Sequence, residues 1–191
     1  RIDYIIMCEW WNMVSTPQGY RPRLVDNKIE SSLRSIGAVC IQGPKWCGKT
    51  WVGLKHSLSQ IMLGDSTDNW NELNMVRLDL SYAFNGDSPR LIDEWQEVPE
   101  IWDALKSLVD RSMEPGRFIL TGSSTPREGA IKHSGAGRIG TIMMRTMSLF
   151  ESGDSDGSMT IRSMFDKVHR PPTKCPNKAS LDSLIYLVLR G

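Results

Sequence analysis

One segment of eight residues has the composition of a phosphate-binding loop. It fits G-x-x-x-x-G-K-[ST], the pattern known as Walker A, and consists of Gly43, Pro44, Lys45, Trp46, Cys47, Gly48, Lys49 and Thr50. Its glycines let the backbone curl until successive N–H groups point inward and make a nest for an anion. Lys49 can then reach the β- and γ-phosphates of a nucleotide, and the hydroxyl of Thr50 can ligate Mg²⁺. A chance match on a glycine-containing turn is the alternative.

A second short segment ends in two adjacent acids. Arg90-Leu91-Ile92-Asp93-Glu94 passes from apolar residues directly into two carboxylates, and open α/β sheets bind their ligands at the carboxyl edge of their strands. In this interpretation, known as Walker B, Asp93 holds Mg²⁺, directly or through water. Glu94 orients and polarises the attacking water. The alternative is a strand that runs out into a solvated acidic turn.

A polar residue that follows a further apolar segment is a candidate for contact with the γ-phosphate. Gly122-Ser123-Ser124 comes directly after Phe118-Ile119-Leu120-Thr121. At this place in nucleotide-hydrolysing proteins a polar side chain contacts the γ-phosphate or the attacking water. We expect Ser123 to take this role, with Ser124 as the second candidate. A Gly-Ser loop that only turns the chain is the alternative.

Arg138 lies just before the apolar segment Thr141–Met147. An arginine there can lie beside a nucleotide on its own or a neighbouring subunit and neutralise charge in the transition state. Arg127 and Arg145 are weaker candidates, and a surface salt bridge is the alternative for Arg138. The G-x-G-x-x-G pattern at Gly135–Gly140 is not interpreted as a dinucleotide site, because it follows a polar stretch and precedes a strand.

Hydrophobic spacing predicts the elements that must position these residues. Ala38–Ile41 is a short apolar run typical of a buried strand, and the spacing after the loop predicts a helix from Lys49 to about Leu63. Three of the other four predicted strands lie next to candidate residues, and the other predicted helices are amphipathic or apolar. The strands are Met75–Leu80, Arg90–Ile92, Phe118–Thr121 and Thr141–Met147; the helices are Leu24–Ile36, Pro99 to about Met113, and Leu181–Leu189.

Composition limits the classes of function. The chain of 191 residues suits one α/β domain, and 23 basic against 22 acidic residues give a net charge of +1. This balance does not favour a nucleic-acid or membrane surface, and no apolar run reaches transmembrane length. The four cysteines are scattered without a C-x-x-C pair, which is typical of a reduced, cytoplasmic protein.

We expect three parts along the chain. Residues 1–20 form an N-terminal tail, residues 21–165 a P-loop ATPase domain, and residues 166–191 a linker with the start of a truncated C-terminal domain. The linker is predicted from the three prolines between Arg170 and Asn177. Because the first residue is Arg1 and the last helix has nothing after it to pack against, we expect the chain to be a fragment.

With these residues the chain resembles a prokaryotic AAA-type ATPase family whose members carry a C-terminal domain of unknown function. The similar segments span roughly residues 20 to 165 and are Gly43–Thr50, Pro89–Gln96, Leu120–Ser124, His133–Arg138 and Met147–Gly153. The resemblance implies a three-layer α/β/α sandwich with a mainly parallel five-stranded sheet in the order 5-1-4-3-2. It also implies ATP and Mg²⁺ as ligands and a role for Arg138 at the nucleotide.

The sequence therefore favours an Mg²⁺-dependent ATPase that drives a conformational or assembly change, because Glu94 suits activation of water. A nucleotide-binding scaffold that does not hydrolyse ATP is one alternative. A phosphotransferase is less favoured, since no arginine-rich lid is evident. A GTP switch is not favoured, since no Asn-Lys-x-Asp element is present. The sequence leaves open whether the chain forms a homo-oligomer. No membrane partner is expected, and the sequence does not identify a client protein or nucleic acid.

Overall fold

Five parallel strands form one sheet in the computed structural model, which describes residues 17–65, 71–123, 137–158, 162, 165 and 180–190. The strands are β1 (Ala38–Gly43), β2 (Ser59–Met62), β3 (Arg90–Asp93), β4 (Phe118–Ser123) and β5 (Ile139–Met143). They lie side by side in the order β2-β3-β4-β1-β5, and every pair is parallel. The predicted sheet order is confirmed, and so is the α/β fold.

Helices connect β1 to β2, β2 to β3 and β3 to β4, as parallel pairing requires. Helix α1 (Asp26–Leu33) precedes β1, and the connecting helices are α2 (Lys49–Lys55), α3 (Asn71–Leu78) and α4 (Glu100–Ser112), with short 3-10 turns at Leu80–Phe84 and Trp95–Glu97. Pro99 comes immediately before α4, where its fixed φ suits the start of a helix. The buried face of α4 consists of Ile101, Trp102, Leu105 and Val109, as its helical spacing predicts.

Two apolar cores lie on opposite faces of the sheet. Successive side chains of a strand point to opposite faces, so Ala38 and Cys40 of β1 belong to one core while Val39 and Ile41 belong to the other. The first core includes residues of α3 and α4, and the second includes residues of α1 and α2. The sheet and the helices on its two faces are the three layers of the predicted sandwich.

The second strand of the sheet is not the one that the sequence predicted. Met75–Leu80 was expected to be a strand but lies mostly in α3, whose buried residues Leu73 and Val76 have helical spacing. The predicted helix that ran to Leu63 ends instead at Lys55, and Ser59–Met62 pairs with β3 as an edge strand. Pairing with a neighbour that is distant in sequence decides the structure of such a short apolar segment.

The chain divides into two compact units, residues 1–145 and 146–191. The second unit contains α5 (Leu149–Ser152) and α6 (Leu181–Arg190). Helix α5 begins with a capping box, in which the Ser148 and Glu151 side chains each bond the other residue's backbone N–H. The three-part division of the sequence, with its boundary at residue 165, stays a prediction.

Several predicted features lie outside the described residues. These are most of the N-terminal tail, Ser124, Arg127, the start of the segment His133–Arg138, and the proline-rich linker. Within the part of the chain that the structure describes, no helix is both long and apolar enough to cross a membrane.

Candidate functional site

The loop between β1 and α2 has the backbone conformations that a phosphate cradle requires. Gly48, the residue before α2, has a φ of +94°, and Trp46 has a φ of +68°, a region that side chains disfavour. A Cβ on Gly43 would lie 2.3 Å from the carbonyl oxygen of Met144, which follows β5. Only glycine lets the start of the loop pack this closely against its neighbour.

Lys49 places a buried positive charge in this loop. Its side chain is 6% exposed, and Nζ donates to the carbonyl oxygens of Gly43 at 3.1 Å and Pro44 at 2.9 Å. Both acceptors are neutral backbone groups of the loop itself. These hydrogen bonds leave the ammonium charge available to attract an anion, and the same charge also acts on the nearby Asp93 carboxyl.

A hydrogen-bonded group joins the two predicted motifs. Thr50 Oγ1 donates to Asp93 Oδ1 at 2.9 Å, and Thr121 Oγ1 donates to the same oxygen. Asp93 ends β3 and is 6% exposed. Burial raises the pKa of the Asp93 carboxyl, and the hydrogen bonds from Thr121 and Thr50 oppose that rise. The site therefore contains a carboxylate that gains from a cation beside it.

The donor set fits a magnesium ion that a nucleotide brings with it. Among the described residues, no group of three or more His, Cys, Asp and Glu side chains could hold a metal ion. Mg²⁺ commonly uses one or two protein oxygens and completes its octahedron with water and phosphate. The adjacent oxygens of Thr50 and Asp93 are oxygens of this kind.

Glu94 and Ser123 lie at the same carboxyl edge of the sheet. Glu94 directly follows β3 with a φ of 53° and is half-buried. Its carboxylate accepts a hydrogen bond from Nε2 of Gln96. Ser123 ends β4 opposite Gly43, the first residue of the loop. Glu94, Ser123 and the start of the loop therefore follow or end three strands at one edge of the sheet.

Arg138 lies at the other edge of the sheet. Its carbonyl oxygen accepts from the N–H of Ala38, the first residue of β1, whereas the loop follows the last residue of that strand. The guanidinium donates through Nε to Asp110 of α4 and is 46% exposed. Six strand residues at about 3.3 Å each separate the two edges. Arg138 therefore lies at the edge of the sheet opposite the phosphate-binding loop of its own chain.

Sequence reasoning missed two residues that support the loop and Asp93. Arg23, before α1, is 8% exposed and donates to the carbonyl oxygens of Cys47 at 2.7 Å and Arg145 at 2.9 Å. Thr121 pairs with Asp93 across β3 and β4. Nothing local signals the contact of Arg23. The parallel register, once known, would have indicated Thr121.

Known proteins similar to this chain include two that have no assigned function. Uncharacterized proteins of Mycobacterium bovis and Mycobacterium tuberculosis are each 31% identical to it over 136 residues. The match covers 67% of this chain and 29% of each relative, so the chain spans under a third of their length. A RuvB variant of Thermotoga maritima is 17% identical, with a TM-score of 0.38, over 68% of this chain and 47% of that structure.

A family comparison covers the strands and the loop described above. The model of the AAA domain family matches residues 35–152, which includes the predicted Walker A and Walker B segments and all of the sheet. This is more than half of the chain's 191 residues. The chain belongs to the AAA domain family.

Proposed function

We propose that this chain binds Mg²⁺-ATP and hydrolyses it to drive a conformational or assembly change. The observation that carries the proposal is the 2.9 Å hydrogen bond from Thr50 to Asp93. It joins the last residue of Walker A to the acid of Walker B. The two oxygens that such sites use for the nucleotide's magnesium are therefore adjacent in this fold.

Each residue at the carboxyl edge has a distinct role in this proposal. The loop N–H groups and Lys49 bind the β- and γ-phosphates, and Thr50 and Asp93 hold Mg²⁺. The ion neutralises charge on the phosphate oxygens when it is bound. Glu94 orients and polarises water for attack on the γ-phosphorus, and Ser123 contacts the γ-phosphate or that water.

Arg138 enters the proposal as a residue supplied to a neighbouring subunit. It is exposed at the edge opposite its own loop, so a second copy is needed to bring it to a bound nucleotide. An arginine supplied in trans accelerates phosphoryl transfer by a factor of about 10³–10⁵ in related reactions. The proposal therefore includes a homo-oligomer whose sites are completed between subunits.

A nucleotide-binding scaffold that does not hydrolyse ATP is the second candidate. The placement of Arg138 favours it, because a single chain lacks this arginine near its own loop. The relatives extend well beyond the matched segment.

The test is ATP turnover per chain measured as protein concentration rises, with Lys49→Ala as the blank. A rate per chain that climbs supports the assembled ATPase, and a flat, measurable rate refutes the need for a partner's arginine. Nucleotide binding without turnover supports the scaffold. Unchanged ATP affinity in Lys49→Ala would refute the loop assignment.

A matched variant separates binding from chemistry. Glu94→Gln keeps the size of the side chain but removes its negative charge. We expect it to bind ATP as the wild type does and to lose turnover. Full activity in this variant would place the base elsewhere.

A further inference from the structure

A turn hydrogen bond and the packing of a buried tryptophan fix the backbone around Glu94. Glu94 has a left-handed conformation, with φ 53° and ψ 45°, and its carbonyl oxygen accepts from the N–H of Glu97 at 3.0 Å. Between them Trp95 is 2% exposed and packs on Trp102, with 5.0 Å between ring centroids. The left-handed conformation is unfavourable for a glutamate, and such strain is concentrated at functional sites. Gln96 therefore extends from a turn whose backbone is held in place by the packing of Trp95.

Only one of the two polar atoms of the Gln96 side-chain amide has a hydrogen-bond partner among the described residues. Its Nε2 donates to the Glu94 carboxylate, whereas its Oε1 is buried and has no hydrogen-bond partner among the described residues. A buried acceptor without a hydrogen-bond partner destabilises the fold. The fold thus keeps a glutamine where an apolar side chain would avoid that cost, which calls for an explanation other than stability.

Two glycines leave room for this pair of side chains. A Cβ on Gly122, near the end of β4, would lie 2.3 Å from Gln96 Oε1, and a Cβ on Gly64, just beyond β2, would lie 2.9 Å from Glu94 Cγ. Strands β2 and β4 flank β3. The ends of both neighbouring strands are therefore shaped around Glu94 and Gln96.

From this geometry we propose that Gln96 is a positioning residue for hydrolysis. Its amide donor fixes the Glu94 carboxylate in the orientation from which that carboxylate polarises water. The inference rests on the proposed function, since Glu94 is the base only there. Gln96 acts through Glu94 and does not itself contact the reacting atoms.

The test is steady-state ATP hydrolysis by the full chain carrying Gln96→Met. Methionine keeps the length of the side chain but removes the donor and the orphaned acceptor. We expect kcat to fall about 10- to 100-fold, the cost of a misplaced catalytic group, with the KM for ATP within about twofold of wild type. Because the unsatisfied acceptor is gone, the urea midpoint should stay the same or rise.

Two comparisons separate positioning from support of the fold. Gln60→Met makes the same change at an exposed site on β2 and should leave kcat unaltered. In a Glu94→Gln background, Gln96→Met should not lower the residual single-turnover rate further, because a residue that acts through Glu94 has nothing left to position. Gly122→Ala, which displaces the Gln96 amide, should lower kcat as Gln96→Met does.

Each contrary result has a specific meaning. Retained kcat in Gln96→Met, a loss matched by an equal fall in stability, or a loss additive with Glu94→Gln would overturn the role of Gln96 while the ATPase stands. A wild-type chain that hydrolyses no ATP, or a fully active Glu94→Gln, would remove the proposed function, and the role of Gln96 would fall with it.

Discussion

Thr121→Val tests the hydrogen-bonded centre at Asp93. Thr121 is 1% exposed and donates to Asp93 Oδ1, and valine keeps its shape but cannot donate. A hydrogen bond to a charged group contributes about 1.5–3 kcal/mol and one to a neutral group about 0.5–1.5 kcal/mol. We therefore expect the free energy of unfolding to fall by about 2 kcal/mol when Asp93 is ionised and by about 1 kcal/mol when it is neutral.

The sign of the pH dependence follows from the pKa of Asp93. Burial raises this pKa above its usual value of 3.8, and the bond from Thr121 limits the rise. A raised pKa in the folded state means that stability is full at low pH and is lost as pH rises through that pKa. Removing Thr121 Oγ1 raises the pKa further, so the cost of the substitution grows with pH.

Urea unfolding of the ligand-free chain over a pH series that begins below 3.8, the ordinary pKa of this carboxyl group, and runs to about pH 8 measures this effect. With a slope of about 2 kcal/mol per molar urea, the midpoint should fall by about 1 M at the upper end of the series. Thr141→Val, the same change at an exposed position of β5, should stay within about 0.5 kcal/mol of wild type. An equal cost at both ends of the pH series would refute this account of Asp93.

Two further predictions concern the subunit contact and the packing under the loop. Arg138→Ala should slow hydrolysis by about 10³-fold while nucleotide binding survives. Asp110→Ala breaks the same ion pair but keeps the arginine, so it should retain the rate. A wild-type rate in Arg138→Ala would mean that the arginine only forms a surface ion pair. Gly53→Ala should lower the free energy of unfolding by about 1–3 kcal/mol despite alanine's helix propensity, because its Cβ would lie 2.7 Å from Leu91 Cδ1 in a filled core. Urea unfolding checks the latter, and a stabilised variant would contradict it.

The motifs could be predicted because their chemistry is local. The glycines and Lys49 of the loop, and the acids after β3, are determined by neighbours within a few residues. The α/β class followed from apolar runs, but the strand order came only from the family resemblance. Hydrophobic spacing cannot supply it, because spacing says nothing about which strands pair.

The wrong or missing predictions concern residues whose structure depends on contacts with residues distant in sequence. Ser59–Met62 has four residues, too few to distinguish a strand from the continuation of α2, and its pairing with β3 settles the matter. Arg23 and Cys47 meet through the tertiary fold alone. Arg138 was correctly predicted to come just before a strand. That it lies beside the start of β1, at the edge opposite the loop, follows only from the parallel register of β5 with β1.

The position of β1 between β4 and β5 has a consequence for synthesis of the chain. Ala38 pairs with Phe118 on one side and with Ile139 on the other, so the ribosome makes β1 long before either neighbour. Until then its apolar residues and both rows of backbone hydrogen-bonding groups are exposed, and such strands are prone to aggregate. A nascent chain that stalls before Phe118 therefore carries the complete Walker A sequence without the strands that hold it in place, and chaperones have most reason to bind at that stage.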